Sequence, residues 1–288
     1  MFEHILVPLD GTPLAEQALG PAVSLAREEG AHLHLATVER SANAELEPSI
    51  EILDEDYLAH VAARVRDAGV SHVSTERLAG DRVVDALEAH RREVGAGLTV
   101  MCTHGRGAVE RAWLGSVADG LVRTSEAPVL LVRAAAAGRS RGEDLRAAAR
   151  FKRVLVALDG SHFSRQSLGP ASRLGPMPGT VYVFARIIPG SGEDTDERQQ
   201  KNRTLAEAKL DLEVQSFASG GYTVESVTEF APSVAQGILD LAERHGADVI
   251  AIATHGRSGV SRVILGSVAD KVIRGADRPV LVVRPRET

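Results

Sequence analysis

Residues 103–117 read Thr-His-Gly-Arg-Gly-Ala-Val-Glu-Arg-Ala-Trp-Leu-Gly-Ser-Val, and residues 254–268 repeat them as Thr-His-Gly-Arg-Ser-Gly-Val-Ser-Arg-Val-Ile-Leu-Gly-Ser-Val. Extended to 103–133 and 254–284, the two stretches share about 18 identities in 31 positions at a constant offset of 151. A second match, at an offset of 149, relates residues 6–11 to residues 155–160. A repeat of this length is a whole domain rather than a solenoid unit. The sequence therefore predicts two homologous domains, 1–134 and 151–288, joined by a linker at 135–150.

The predicted linker is rich in Ala, Gly and Arg and contains no apolar run that would form a strand. Its arginines fit either an anion-binding arm or a solvated, partly helical connector. Glu143 and Asp144 interrupt the positive charge, which favours the connector.

Short runs of Val, Ile and Leu alternate with longer segments of helical spacing in both halves. The runs lie near 5–9, 33–38, 70–78, 98–102 and 129–132, and again near 154–158, 181–187, 223–229, 249–253 and 280–283. Strands that are apolar on both faces are expected where helices cover both sides of a parallel sheet. The pattern predicts an α/β fold of two tandem open doubly wound domains, each a five-stranded parallel sheet with helices on both faces.

Helix starts and loops follow from local signals. Thr12-Pro13 and Ser161 are expected to begin the first helices, and Gly80-Asp81 and Pro232-Ser233 to precede the third. The acidic segments 39–49 and 189–200, which follow the second strands, are predicted to be mobile loops.

Composition narrows the function classes. A formal net charge of −6 argues against a nucleic-acid partner, and the longest apolar runs are too short to span a membrane. The single cysteine forms no intrachain disulfide, and the apolar run that starts at Ile5 leaves no room for a leader peptide. We therefore expect a cytoplasmic protein.

The repeated stretch has the chemistry of a phosphate site. In each half, Gly-Ser-Val opens a helix, whose first N–H groups are unpaired and lie at the positive end of the helix dipole. Glycine at this position lets an oxygen approach the backbone closely. Ser116 and Ser267 have two open roles, as hydroxyl donors to a phosphate or as helix caps.

A strand followed by Gly-x-x-Gly, nine residues and Gly-Ser-Val is the ATP-binding motif of the universal stress protein family, which both halves resemble nearly end to end. The resemblance implies a sheet ordered 3-2-1-4-5, with ATP and Mg²⁺ held beside the tips of strands 1 and 4. There, Asp10 and Asp159 would contact the adenosine portion, and Val38 and Ile187 the adenine. The ligand-binding residues carried over are Asp10, Val38, Cys102, Thr103, Gly105, Gly115, Ser116 and Val117 in the first half, and Asp159, Ile187, Ala253, Thr254, Gly256, Gly266, Ser267 and Val268 in the second.

Some of these positions have alternatives. The first motif glycine is replaced by Cys102 in one half and Ala253 in the other, which supports a second hypothesis of a family member that binds protein partners without nucleotide. Asp10 and Asp159 also fit an Asp-Gly turn, and Val38 and Ile187 fit plain core packing.

The sequence shows no machinery for dedicated catalysis. It has no Walker motif, complete Gly-x-Gly-x-x-Gly, nucleophile elbow or His-Glu-x-x-His. His104 and His255 have no second ligand at metal-binding spacing, so no metal site is predicted. We expect a regulatory protein with at most slow ATP hydrolysis and an unknown protein partner. The resemblance also implies that the two halves pair through their last strands. The sequence leaves open whether two chains form a homodimer.

Overall fold

The computed structural model describes residues 2–39, 56–103, 114–133, 145–147, 151–175, 179–190, 197–254 and 265–286. Contacts between residues divide the chain into two compact units, Met1–Arg150 and Phe151–Thr288.

The first unit is a parallel sheet flanked by helices. Its strands are β1 (His4–Pro8), β2 (His32–Glu39), β3 (Val73–Ala79), β4 (Leu98–Cys102) and β5 (Val129–Val132), paired in the order β3-β2-β1-β4-β5. Its helices are α1 (Pro13–Glu16), α2 (Leu19–Glu29), α3 (Tyr57–Asp67), α4 (Val83–Glu93) and α5 (Ser116–Thr124).

The second unit repeats this plan. Its strands are β6 (Arg153–Ala157), β7 (Val181–Pro189), β8 (Thr223–Ala231), β9 (Val249–Ala253) and β10 (Val280–Val283), paired in parallel in the order β8-β7-β6-β9-β10. Its helices are α6 (His162–Arg165), α7 (Leu168–Ala171), α8 (Glu197–Ser219), α9 (Val234–Arg244) and α10 (Ser267–Gly275). The predicted α/β fold with five parallel strands in each half is confirmed, and both orders equal the one that the resemblance implies.

The burial of the strands explains why most of them appear as apolar runs in the sequence. Every residue of β4, β5, β9 and β10 is buried, as expected for strands covered by helices on both faces. The outer strand β3 is mostly exposed or half-buried, so its sequence is polar and its predicted start, near residue 70, was three residues early.

Three of the four predicted helix starts have side-chain caps, including Ser233, whose hydroxyl accepts from the N–H of Gln236 at 3.4 Å. The hydroxyl of Thr12 accepts from the N–H of Ala15 at 3.2 Å, and that of Ser161 from the N–H of Ser164 at 3.1 Å. The first helix of each half is divided in two, α1–α2 and α6–α7. Pro21 and Pro170 lie in the first turn of the second segment, because proline has no N–H to continue a preceding helix.

The described part of the linker packs on the first unit. Residues 145–147 form one 3₁₀ turn in which Leu145 is buried. Arg27 donates to the carbonyl of Arg146 at 3.0 Å, and Arg146 donates to the carbonyl of Asp67 at 2.9 Å. The helical turn agrees with a partly helical connector, although this part of it is docked rather than solvated.

Of the two segments predicted to be mobile, residues 40–55 and 191–196 lie outside the described residues, and Glu197 begins α8. No helix in the described part of the chain has the length and apolar character needed to cross a membrane.

Candidate functional site

The candidate site of each unit lies at the carboxyl ends of two adjacent strands. In the first unit, Leu6 of β1 is level with Thr99 of β4, so counting forward brings Asp10 level with Thr103. In the second, Val156 is level with Ala251, which brings Asp159 level with Thr254. After the first of these strands the chain adds the next strand on one side of the pair, and after the fourth it adds the next strand on the other side. Doubly wound sheets have a crevice at such a point.

A helix begins at each crevice without a side-chain cap. The N-cap residues of α5 and α10 are Gly115 and Gly266, and neither helix start has a side-chain hydrogen bond. Ser116 and Ser267 are the first helical residues and are exposed, so the structure does not support their alternative role as caps. The N–H groups of both first turns are therefore available to an anion.

Each N-cap glycine is held against the tip of the preceding strand. The N–H of Gly115 donates to the carbonyl of Thr103 at 2.7 Å, and that of Gly266 to the carbonyl of Thr254 at 2.8 Å. A Cβ on Gly266 would lie 2.5 Å from that carbonyl oxygen, closer than real Cβ atoms approach. With φ near −60° the backbone is ordinary. Glycine is therefore needed here because the backbone lies close to a carbonyl oxygen of the protein itself. The sequence suggested only the close approach of a ligand oxygen.

The departures from the family motif lie in regular strand. Cys102 and Ala253 are the buried last residues of β4 and β9, in register with Val132 and Val283. A residue in such a register has extended backbone, which any side chain adopts. The two replacements therefore need no left-handed backbone.

Asp10 and Asp159 form the turn that follows the first strand of each unit. Asp10 Oδ1 accepts from the N–H of Thr12 at 3.0 Å and from its hydroxyl at 2.6 Å. Asp159 Oδ1 accepts from the N–H of Ser161 at 2.8 Å. Both carboxylates are half-buried at the crevice, so a turn role is present whether or not a ligand is bound.

The second strands end differently in the two units. Val38 is half-buried, whereas Ile187 is buried, with methyl groups 3.1 and 3.2 Å from where a Cβ of Gly237 would lie. Packing against α9 therefore explains why Ile187 is buried, as the core-packing alternative predicts.

Arg186, one residue earlier, is a site residue that sequence reasoning missed. It is only 6% exposed, and its guanidinium fills the space beside Gly160, whose φ is 76°. The equivalent residue of the first unit is the uncharged Thr37, which is also buried. A charged residue at the end of an otherwise apolar strand was the available signal.

The arms between strand and helix lie outside the described residues. They include the predicted ligand residues Gly105 and Gly256, and also His104 and His255. Val117 and Val268 are half-buried second residues of α5 and α10.

Comparisons with known proteins agree with the duplication. A model described as the universal stress protein family matches residues 1–133 and 150–284. A universal stress protein of Mycolicibacterium smegmatis is 29% identical over 197 residues, which are 66% of this chain and 63% of that protein, so less than two thirds of the relative is spanned. One of Methanocaldococcus jannaschii is 48% identical over 153 residues, covering 46% of this chain and 82% of the relative.

A solved structure agrees over the full length. The universal stress protein of Archaeoglobus fulgidus covers 99% of this chain and 97% of its own, with a TM-score of 0.68 and 21% identity. At this identity the match shows the fold alone.

Proposed function

Because this chain belongs to the universal stress protein family and carries two copies of the family's domain in tandem, we propose that it is a regulatory stress-response protein that binds ATP with Mg²⁺ at one or both crevices. One observation carries the proposal. In both units an uncapped helix start and an aspartate meet at the carboxyl ends of adjacent strands.

The helix start would hold the phosphates. The first N–H groups of α5 and α10, together with the exposed hydroxyls of Ser116 and Ser267, are donors at the positive end of a helix dipole. Val117 and Val268 supply the second N–H of each helix. Because the glycine before each serine has no side chain, phosphate oxygens reach these donors unobstructed.

The other residues would complete a nucleotide pocket. Asp10 and Asp159 offer carboxylate oxygens to ribose hydroxyls, and Val38 offers apolar surface to adenine. Ile187 would contact adenine in the second unit through the small part of its side chain that packing leaves exposed. The buried strand ends Cys102, Thr103, Ala253 and Thr254 would form the floor of the pocket. Gly105 and Gly256, which lie outside the described residues, complete the proposed set of ligand residues.

Binding without dedicated catalysis favours a regulatory role. The proposed groups bind and orient a triphosphate, and none of them is placed as a nucleophile or a general base. We propose that bound nucleotide alters the surface offered to a protein partner in the cytoplasm, with at most slow hydrolysis.

The test is calorimetric titration of the nucleotide-stripped full chain with Mg-ATP, for the wild type and for Ser116→Asp and Ser267→Asp. Aspartate in the first turn is favourable for the helix itself, because it complements the dipole, yet it repels a phosphate. Each variant should weaken its own site by about tenfold or more, which corresponds to about 1.4 kcal/mol. The two variants together count the working sites.

Ser116→Asn and Ser267→Asn are the matched controls, because asparagine has the shape of aspartate without its charge. Both should bind ATP nearly as the wild type does. Binding that is indifferent to the aspartates would refute the placement of the phosphates. An absence of binding up to millimolar ATP would favour the interaction module without nucleotide.

A further inference from the structure

Five of the ten histidines of the protein gather in the first unit, far from the candidate nucleotide site. They are His4, His32, His34, His72 and His90. Since the nucleotide residues follow the carboxyl ends of the same strands, a five-residue strand, roughly 16 Å, separates the two edges. The proposed ATP site makes no use of this cluster.

Strand register creates the cluster. His4 and His32 are the first residues of the neighbouring strands β1 and β2 and are paired in register. His34 is two residues further along β2, so its side chain lies on the same face as that of His32. The rings of His32 and His34 stack at 4.2 Å, and those of His4 and His34 at 5.2 Å.

The ring nitrogens converge. One nitrogen from each of His4, His32 and His34 lies within 4.8 Å of the other two. His4 Nδ1 and His34 Nε2 are already 2.9 Å apart. In a tetrahedral zinc site with Zn–N bonds near 2.0–2.1 Å, ligand nitrogens are about 3.3 Å apart. An ion bound here would draw the three nitrogens from within 4.8 Å to about this separation, at three corners of a tetrahedron.

Two further features of the cluster suit a metal site. Nε2 of His32 is buried and has no hydrogen-bond partner among the described residues, which is a costly state for a polar atom. On the far side of His34, Nδ1 lies 2.9 Å from the hydroxyl of Ser74. If that nitrogen donates to the hydroxyl, Nε2 keeps its lone pair for a metal, as outer partners of ligand histidines commonly ensure.

The pKa values of two of the three imidazoles are lowered. Burial, with smaller contributions from the charges of His32, His4 and His90, lowers the pKa of His34 to about 4. Burial also lowers the pKa of His32, to which His4 and His72 contribute. Burial thus disfavours the charged imidazolium form of both rings.

We propose that His4, His32 and His34 form a binding site for a divalent transition-metal ion of the zinc class, with a fourth position open to solvent. Three neutral imidazoles are a ligand set that suits zinc, copper and nickel rather than calcium or magnesium. His4 and His32 are only half-buried, so an ion has an entry path. Ser74 is a positioning residue that orients His34.

The test uses the full chain after treatment with a chelator, titrated with Zn²⁺ by calorimetry and with Co²⁺ by visible absorption. We expect one zinc ion per chain from this cluster and the d–d bands of tetrahedral cobalt. His4→Gln and His32→Gln should each weaken zinc binding by roughly 100-fold and abolish the bands. Both residues are half-buried, so these variants test the site without replacing the enclosed His34.

His60→Gln is the matched control, because His60 is exposed on α3 outside the cluster. It should bind zinc as the wild type does, and circular dichroism checks that each variant folds. No saturable zinc binding, or binding that survives His4→Gln and His32→Gln, would overturn the proposal. Because Mg-ATP titration of the same variants reads the other edge of the sheet, failure of either site is distinguishable from failure of the other.

Discussion

The two units agree at one edge of their sheets and differ at the other. At the carboxyl ends, both have Asp-Gly after the first strand and a Gly-Ser helix start after the fourth. At the amino ends, residues of the first unit and their equivalents in the second differ in chemistry. They are His4 and Arg153, His32 and Val181, His34 and Val183, and Ser74 and Glu225.

The second unit shows what this fold requires without the cluster. Arg153 donates to Glu225 at 2.7 Å, an ordinary partly exposed ion pair, and two valines replace the half-buried His32 and the buried His34. Valine is favoured in strands, whereas burying polar imidazole rings in a sheet costs free energy. The fold therefore does not require histidine at these strand positions.

The largest expected effect comes from giving the first unit the residues of the second. The double substitution His32→Val and His34→Val should remove zinc binding, a loss of at least about 100-fold, or about 2.7 kcal/mol. The zinc-dependent rise in Tm measures it. Mg-ATP affinity should stay unchanged, because the nucleotide edge is untouched. A zinc-dependent rise in Tm that persists in this variant would break the comparison.

A second effect tests what is shared. Gly266→Ala should lower the free energy of unfolding by about 2 kcal/mol, because its Cβ would collide with the carbonyl oxygen of Thr254. Urea denaturation measures this change. Gly169→Ala is the control, since a Cβ there meets nothing within 4 Å and alanine favours a helix. Equal stability of the two variants would contradict the close approach.

The third prediction sharpens the difference between the two nucleotide sites. Arg186→Thr installs the first unit's residue and should weaken Mg-ATP binding at the second site by about tenfold, or about 1.4 kcal/mol, through loss of a buried cation. Calorimetric titration detects it, with the exposed Arg173→Thr as control. Tighter ATP binding in Arg186→Thr would instead show that the guanidinium obstructs the pocket.

The smallest effect is a pH dependence confined to the first unit. In metal-free protein, His34 has a pKa of about 4 against an ordinary 6.5, so the unfolded chain binds more protons between these values. The free energy of unfolding should therefore fall as the pH drops, by about 1 kcal/mol between pH 7 and 5.5. His34→Val should remove this part of the dependence, measured by urea denaturation with a chelator present.

Other titrating groups face His34 from each neighbouring element. They are His4 on β1, His32 on β2 and His90 on α4, with Glu93 beside His90, while His72 before β3 lies against His32. The comparison of wild type with His34→Val isolates one group from this background. A dependence that is unchanged in the variant would assign it to those neighbours.

The sequence predicted the fold well where burial and local chemistry agree. Strands buried on both faces are continuous apolar runs, so four of them, β4, β5, β9 and β10, were placed with their observed ends. The edge strand β3 has a weak pattern because it is largely exposed. The division of the first helices follows from Pro21 and Pro170, whose effect on the preceding turn was not considered.

The candidate sites show the limits of sequence more clearly. A motif that is local and repeated, such as the glycine before Ser116 and Ser267, can be recognised directly. The histidine cluster depends on the register of β1 with β2, which joins His4 to residues 28 and 30 positions away. The alternation of His32 and His34 was a usable hint, because two residues separated by one lie on one face of a strand. Ligand spacing around His104 and His255 does not reveal this cluster.

The hydrogen bonds from Gly115 to Thr103 and from Gly266 to Thr254 have a consequence for protein engineering. They hold together the two ends of the segments 104–114 and 255–265 through main-chain atoms alone, and Leu265, at the end of the second segment, is part of the core. Because these bonds join main-chain atoms, we expect residues 104–113 and 255–264 to be exchangeable between the two halves while the same closure of strand end and helix start is kept.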